Sequence, residues 1–307
     1  MSTLNLNPIS TKADIFDMTP LPNQPIDPIR QRASFLSSSL RGLLTCEFQA
    51  RLAGSWASNE AHLPSPINGR IPSLSDVDVM VDEPPTIDTS STISRAVLNM
   101  ASVHGVEIQK VSVRHKAEID LFWNPHRIKA LSGYQIETGQ FMTFWTLVGA
   151  IESLSPTANF SASGRAYHLA KFFFKLCRNT LLIHQISSTN YRELTTEVLT
   201  KLIFHPGVTR AYAIKTGLET TLSSIECDAI LSDSTWAPLT DTFIDAHSSY
   251  LLAQLRNDIR TWYRTGISLN TESYLEQIRK FDGPPDLLPA RSKVINDYER
   301  RIATSFA

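Results

Sequence analysis

The chain has 307 residues, 42% of them hydrophobic, with 29 Lys+Arg against 30 Asp+Glu and a net charge of -1. That length and apolar share are ample for packed cores in two lobes. The near-neutral balance argues against a protein that holds a long nucleic-acid backbone, though not against a tRNA end or a nucleotide.

The stretch from Met1 to Asn7 has neither a basic nor an apolar leader region, and no run of about 18 apolar residues occurs. A soluble, cytoplasmic protein without a membrane partner is expected. Cys46, Cys177 and Cys227 are far apart and odd in number, which suits reduced thiols acting as small buried hydrophobes. The histidines form no His-x3-His or Cys/His cluster, so no structural zinc is expected.

Residues 1–26, with Pro8, Pro20, Pro22 and Pro25 among polar residues, read as an extended arm. Asp27-Pro28 then opens a helix to about Thr45, with Ile29, Ala33, Leu36, Leu40 and Leu43 on one face. Glu47 to Ala53 reads as a first strand that enters Gly54-Ser55. The stretch from Trp56 to Ser75 holds Pro64, Pro66, Gly69 and Pro72 and reads as a loop, with at most a helical turn near Ser58 to His62. Asp76 to Val81 is a second strand. A helix carrying Ile93, Val97, Met100 and Val103 follows, capped within Asp88 to Ser91 and closed by Gly105. Val106, Ile108, Val111 and Val113 predict a strand with a bulge near Lys110, and His115-Lys116 a hairpin turn into Glu118 to Trp123.

Beyond Pro125 the pattern is helical, with helices predicted over 141–151, 164–185, 190–204, 208–222, 237–264 and 271–281, and a last one from about Ala290. The fold class expected is α/β (α+β): a lobe with a mixed sheet, then an all-helical C-terminal lobe.

The chemistry concentrates in Asp76-Val77-Asp78. Alternation sends both carboxylates from one face of a Val-rich strand, where they repel each other unless a cation lies between them. A hard divalent ion such as Mg²⁺ answers that need. Asp120, in the alternating run Glu118-Ile119-Asp120-Leu121, adds a third acid, and three acids on two strands suffice for two ions. Gly54 lets backbone approach a ligand closely, and the Ser55 hydroxyl can bind phosphate oxygens. Glu118 reads as an edge residue that pairs with Lys116 or Arg114, and Ser75 as a turn or strand-entry residue.

Gly54-Ser55, Asp76-Val77-Asp78 and Asp120, followed by a helical lobe, resemble the DNA polymerase beta-type nucleotidyltransferase superfamily. That superfamily includes aminoglycoside nucleotidyltransferases, CCA-adding enzymes and cyclic-dinucleotide synthases. The resemblance covers residues 27 to about 125, and the Trp56 to Ser75 stretch is longer than the family pattern has there. It implies a nucleotidyltransferase catalytic domain over 27–130 and a helical substrate-binding domain over 131–307. It also implies that Gly54 and Ser55 hold the nucleotide phosphates. Asp76 and Asp78 would bind two Mg²⁺ ions, and Asp120 would complete the second site and help activate the acceptor hydroxyl as base. Two ions about 3.5 to 4 Å apart stabilise both the attacking and the leaving oxygen of an in-line displacement.

Arg165, His168, Lys171, Lys175 and Arg178 form a basic stripe on the helix from Gly164, at a lobe boundary, and Lys171 and Lys175 are candidates for phosphate contacts. Trp56, Phe122, Trp123 and Tyr167 could each stack on a base, but core packing is the simpler role for each. His62, alone in a polar loop, reads as exposed. The activity expected is transfer of a nucleoside monophosphate from a triphosphate, ATP as the default, to a hydroxyl with release of pyrophosphate. Charge and compactness favour a small-molecule acceptor. Nucleotide, tRNA or protein acceptors of a toxin or defence kind stay open, as does a non-catalytic nucleotide-binding module.

Overall fold

In the computed structural model Pro28 begins α1 (Pro28–Phe48), whose Leu36, Leu40 and Leu44 are fully buried. The structure describes residues 28–63, 65–116, 138–154, 161–183, 186, 188, 190–201, 206–216, 230–231, 246–267, 269–280 and 295–296. The arm over 1–26, Asp120 and Cys227 lie outside them, as do Glu118, Phe122 and Trp123 with the strand and hairpin predicted for that stretch.

The first strand is shorter than predicted. The helix continues to Phe48, Gln49 turns the chain at φ 50, and Ala50 N donates to Leu44 O at 3.0 Å, leaving β1 (Arg51–Ala53). Gly54 opens a single turn, α2 (Gly54–Ala57), which buries Trp56 completely, so Trp56 is core.

Two further corrections concern strands. The expected loop contains β2 (Ile71–Ser73), whose short length and central Pro72 hide any alternation. The predicted bulge near Lys110 is instead a break between β4 (Val106–Ile108) and β5 (Val111–His115), which lie in different sheets. β2 and β4 pair in parallel; β3 (Val77–Val81) lies centrally in the other sheet, antiparallel to β1 and parallel to β5. That sheet is therefore mixed, as expected.

Between β3 and β4 runs α3 (Ile87–Val103), capped by Thr86, whose hydroxyl accepts from Thr89 N at 3.1 Å, a little before the predicted cap. Val77, Val79 and Val81 point into a core shared with Leu36, Leu40 and Val97.

The described C-terminal part is built of helices: α4 (Thr138–Leu154), α5 (Ala162–Ile183), α6 (Tyr191–Lys201), α7 (Pro206–Lys215), α8 (Ala246–Thr265) and α9 (Thr271–Arg279). A second hydrophobic core, including Phe144, Phe172, Phe173, Leu255 and Trp262, fills it. The molecule is thus mostly helical with a small mixed sheet. Among the described residues no helix is long and apolar enough to cross a membrane. Of the two cysteines described, Cys177 is buried as expected but Cys46 is exposed, because its position on α1 faces away from the Leu36–Leu40–Leu44 stripe.

Among the polar contacts between the two parts is a buried clasp on a helix start. Glu60 is buried, and its carboxylate accepts from Tyr191 N and Arg192 N, both at 2.8 Å, at the start of α6; Asn190 caps the next amide, Glu193 N, at 2.8 Å. A carboxylate there satisfies two orphan donors and opposes the positive end of the helix. Glu60→Ala strands both amides, and a loss of about 2 kcal/mol in urea unfolding is expected, with a smaller loss for Glu60→Gln. Equal stability of Glu60→Ala and the parent would refute this clasp.

Candidate active site

Strand β3 displays the acids as alternation requires: Val77, Val79 and Val81 are buried, while Asp76, Asp78 and Met80 share the opposite, half-buried face. The parallel register sets Asp78 beside Ser112 and Met80 beside Arg114, so this part of β5 runs along the acid face with polar and basic residues. Lys110, just before β5, lies with its Nζ 4.0 Å from Asp76 Oδ2.

On the other edge, β1 pairs Ala53 with Asp78 and ends at Gly54. Gly54 has φ +65, and a Cβ there would lie 2.5 Å from Asp78 Oδ2. Glycine is therefore demanded twice, by the left-handed backbone and by the carboxylate above it. Ser55 follows within α2, and its carbonyl accepts from Glu60 N at 2.7 Å.

Burial raises the pKa of Asp78; Arg114 opposes this, Asp76 adds to it, and Lys171 and Lys110 oppose it more weakly. An anion held against its preference in this way is a natural partner for added positive charge. Lys171, from α5, brings its Nζ to 4.0 Å from Asp76 Oδ2. Burial works against the Lys171 charge, but Tyr167, Asp76, Asp78 and Glu152 outweigh it and raise its pKa. Lys175, one turn on, is already engaged by Glu152 of α4 in an ion pair. Burial raises the Glu152 carboxyl, but Lys175, Arg114 and Lys171 together outweigh it, and the net is a lowered pKa.

The rest of the basic stripe is divided among partners inside the molecule. Arg165 Nε donates to Tyr263 O at 2.9 Å, His168 Nδ1 to Ser153 O at 2.8 Å, and the Arg178 guanidinium lies 6.0 Å from the centre of the Tyr191 ring. Of the predicted phosphate ligands, Lys171 thus reaches the acids and Lys175 reaches a neighbouring helix.

Beneath the acids lies a polar network absent from the expected site. Tyr167, fully buried, has its hydroxyl 3.2 Å from Ser75 Oγ and accepts from Lys215 Nζ at 2.6 Å. The same ammonium lies 4.3 Å from the centre of the Tyr167 ring and 4.9 Å from that of Tyr191. Ser75, at the bend that enters β3, also accepts from His62 N at 2.9 Å.

His62, expected at the surface, is buried, because the loop that carries it tucks under α7. Its Nδ1 donates to Ile214 O at 2.7 Å, which leaves Nε2 as a lone pair with no partner among the described residues. Burial, with help from Lys215, lowers its pKa to about 4 against the pull of that hydrogen bond. For Lys215 a signal did exist: with Val208 and Ala211 it continues an apolar stripe at helical spacing, and a lysine there marks a buried charge. For Glu60 and His62, in a stretch without periodicity, there was none.

The donor set fits Mg²⁺. Two carboxylates share one face, neither is tied to a cation closer than 4.0 Å among the described residues, and Asp78 is kept short of its ordinary acidity by burial. Among the described residues no three potential metal ligands cluster, and the third expected ligand, Asp120, lies outside them. Comparison with protein families, with curated proteins and with solved structures found no match to this chain.

Proposed function

We propose that the protein is a Mg²⁺-dependent nucleotidyltransferase that moves a nucleoside monophosphate from a triphosphate, ATP by default, to a hydroxyl of a small acceptor. One observation carries this reading: Gly54-Ser55 directly follows a strand hydrogen-bonded to the acid strand, with Gly54 so close over Asp78 that no side chain fits between them. This close approach supports the reading that the sequence resemblance suggests. Asp76 and Asp78, with Asp120, hold the metal; bound Mg²⁺ supplies charge compensation on the phosphoryl oxygens.

The remaining roles belong to the chain. Gly54 keeps the space above Asp78 open, and the Ser55 hydroxyl donates to a phosphate oxygen. Lys171 contributes positive charge at the acid face. Lys175, paired with Glu152, adds little net charge there. The near-neutral charge of the whole chain supports a small acceptor over a polynucleotide.

The test combines labelled triphosphates, Mg²⁺ and a panel of hydroxyl acceptors, read as pyrophosphate release and as mass shift of the acceptor. Asp76→Ala/Asp78→Ala is expected to lower the rate by on the order of 10³-fold, the equivalent of the several kcal/mol a metal supplies. Pyrophosphate release that survives the double substitution would sink the assignment. Triphosphate binding without turnover of any acceptor would leave a binding module.

A further inference from the structure

The cations around the acid pair are not equivalent. Lys175 is spent on Glu152 and Lys215 on Tyr167, whereas Lys171 and Lys110 each stand 4.0 Å from the same oxygen, Asp76 Oδ2. That distance is long for a hydrogen-bonded ion pair, so neither ammonium is locked in place. They differ in setting. Lys110 is 49% exposed at the end of a strand of its own sheet, and Lys171 is 27% exposed on α5, which belongs to the helical part.

We propose, building on the metal-site reading above, that Lys171 is an exchangeable counter-ion. In the metal-free protein its ammonium balances Asp76; when a divalent ion takes that carboxylate, the ammonium is released to the triphosphate that arrives with the metal. A divalent ion alone must bind against the repulsion of Lys171. A metal–triphosphate pair meets no such penalty, because the phosphates give the ammonium a new partner. Metal and nucleotide therefore bind cooperatively, and an empty site does not collect metal without substrate. Lys110, screened by water, plays this part far less.

The signs separate this from a simple phosphate ligand. Lys171→Met is expected to bind Mn²⁺ alone about tenfold more tightly than the parent, from the lost repulsion between a single and a double charge. The same variant is expected to bind a non-hydrolysable triphosphate analogue several-fold more weakly, with reduced coupling between analogue and Mn²⁺. Lys110→Met is expected to change Mn²⁺ affinity about twofold or less. Titration calorimetry and Mn²⁺ electron paramagnetic resonance read these affinities without any turnover. Lys171→Gln, which keeps a polar group at the helix surface, is the second variant, and far-UV circular dichroism checks that both are folded.

Mn²⁺ affinity in folded Lys171→Met and Lys171→Gln that is unchanged or lower would overturn the exchange while leaving the metal site intact. Mn²⁺ binding that Asp76→Asn leaves untouched would overturn the metal reading itself, and the exchange with it.

Discussion

Gly54→Ala is expected to lower divalent-ion affinity and pyrophosphate release by on the order of 10²-fold while the protein remains folded. A Cβ at this position meets Asp78 Oδ2 at 2.5 Å, so the carboxylate has to swing away. The backbone of Asp78 cannot follow, because β3 is held between β1 and β5. Displacement therefore falls on the Asp78 carboxylate, the proposed metal ligand, and the core valines stay where they are. The left-handed φ of +65 adds a folding cost of about 1 kcal/mol for a residue with a Cβ. Mn²⁺ titration beside a thermal melt separates the two effects. A variant with intact metal affinity and lowered stability would show that Gly54 serves the turn alone.

The second large effect is on stability in acid. His62 and His168 both have pKa values lowered to about 4, in each case chiefly by burial. The unfolded chain binds a proton on each near pH 6.5, but the folded chain resists until about pH 4. Between those values the unfolded state holds more protons, so stability falls as the pH falls. It is fully present above about pH 6.5 and lost progressively on the way to about pH 4. A shift of this size is worth about 3 kcal/mol per histidine. Urea unfolding at a series of pH values is expected to show this slope, and His62→Asn to remove close to half of it. A flat profile between pH 6.5 and 4 would mean that neither ring is buried as a neutral base.

Much of the acid face could be read from the sequence because alternation is a strong signal. Val77, Val79 and Val81 define the buried side of a strand, and Asp76 and Asp78 must then share the other. The basic stripe of α5 was equally plain, since its spacing fits only one helical face. What could not be read is where each cation goes. Lys171 and Lys175 differ by one turn, yet one meets Asp76 and the other Glu152, a choice fixed by how α4 and α5 lie together. The short strand β2 was hidden for a related reason, as was the parting of β4 from β5 into different sheets. Three-residue parallel strands carry no periodic pattern of their own, and their pairing is long-range. Likewise the burial of His62 and Glu60 is imposed by α6 and α7, helices more than a hundred residues away in sequence.

The network of Ser75, Tyr167, Lys215 and His62 links these two kinds of information. Its members stand on the loop before β3, on α5 and on α7, and they fix the approach of the helical part to the residue that precedes Asp76. A buried ammonium with a phenol and two aromatic rings around it is costly to keep. Its field adds to that of Lys171 around the acids, which favours a polyanionic ligand at this face.

The divalent ion proposed for Asp76 and Asp78, with a triphosphate bound against it, is open to direct observation. Crystals grown with Mn²⁺ and a non-hydrolysable triphosphate analogue, measured at the manganese absorption edge, address it directly. The account predicts an anomalous peak bonded to the carboxylates of Asp76 and Asp78, with the analogue's phosphates beside Gly54 and Lys171. A bound analogue with manganese elsewhere, or with no manganese at these carboxylates, would contradict it.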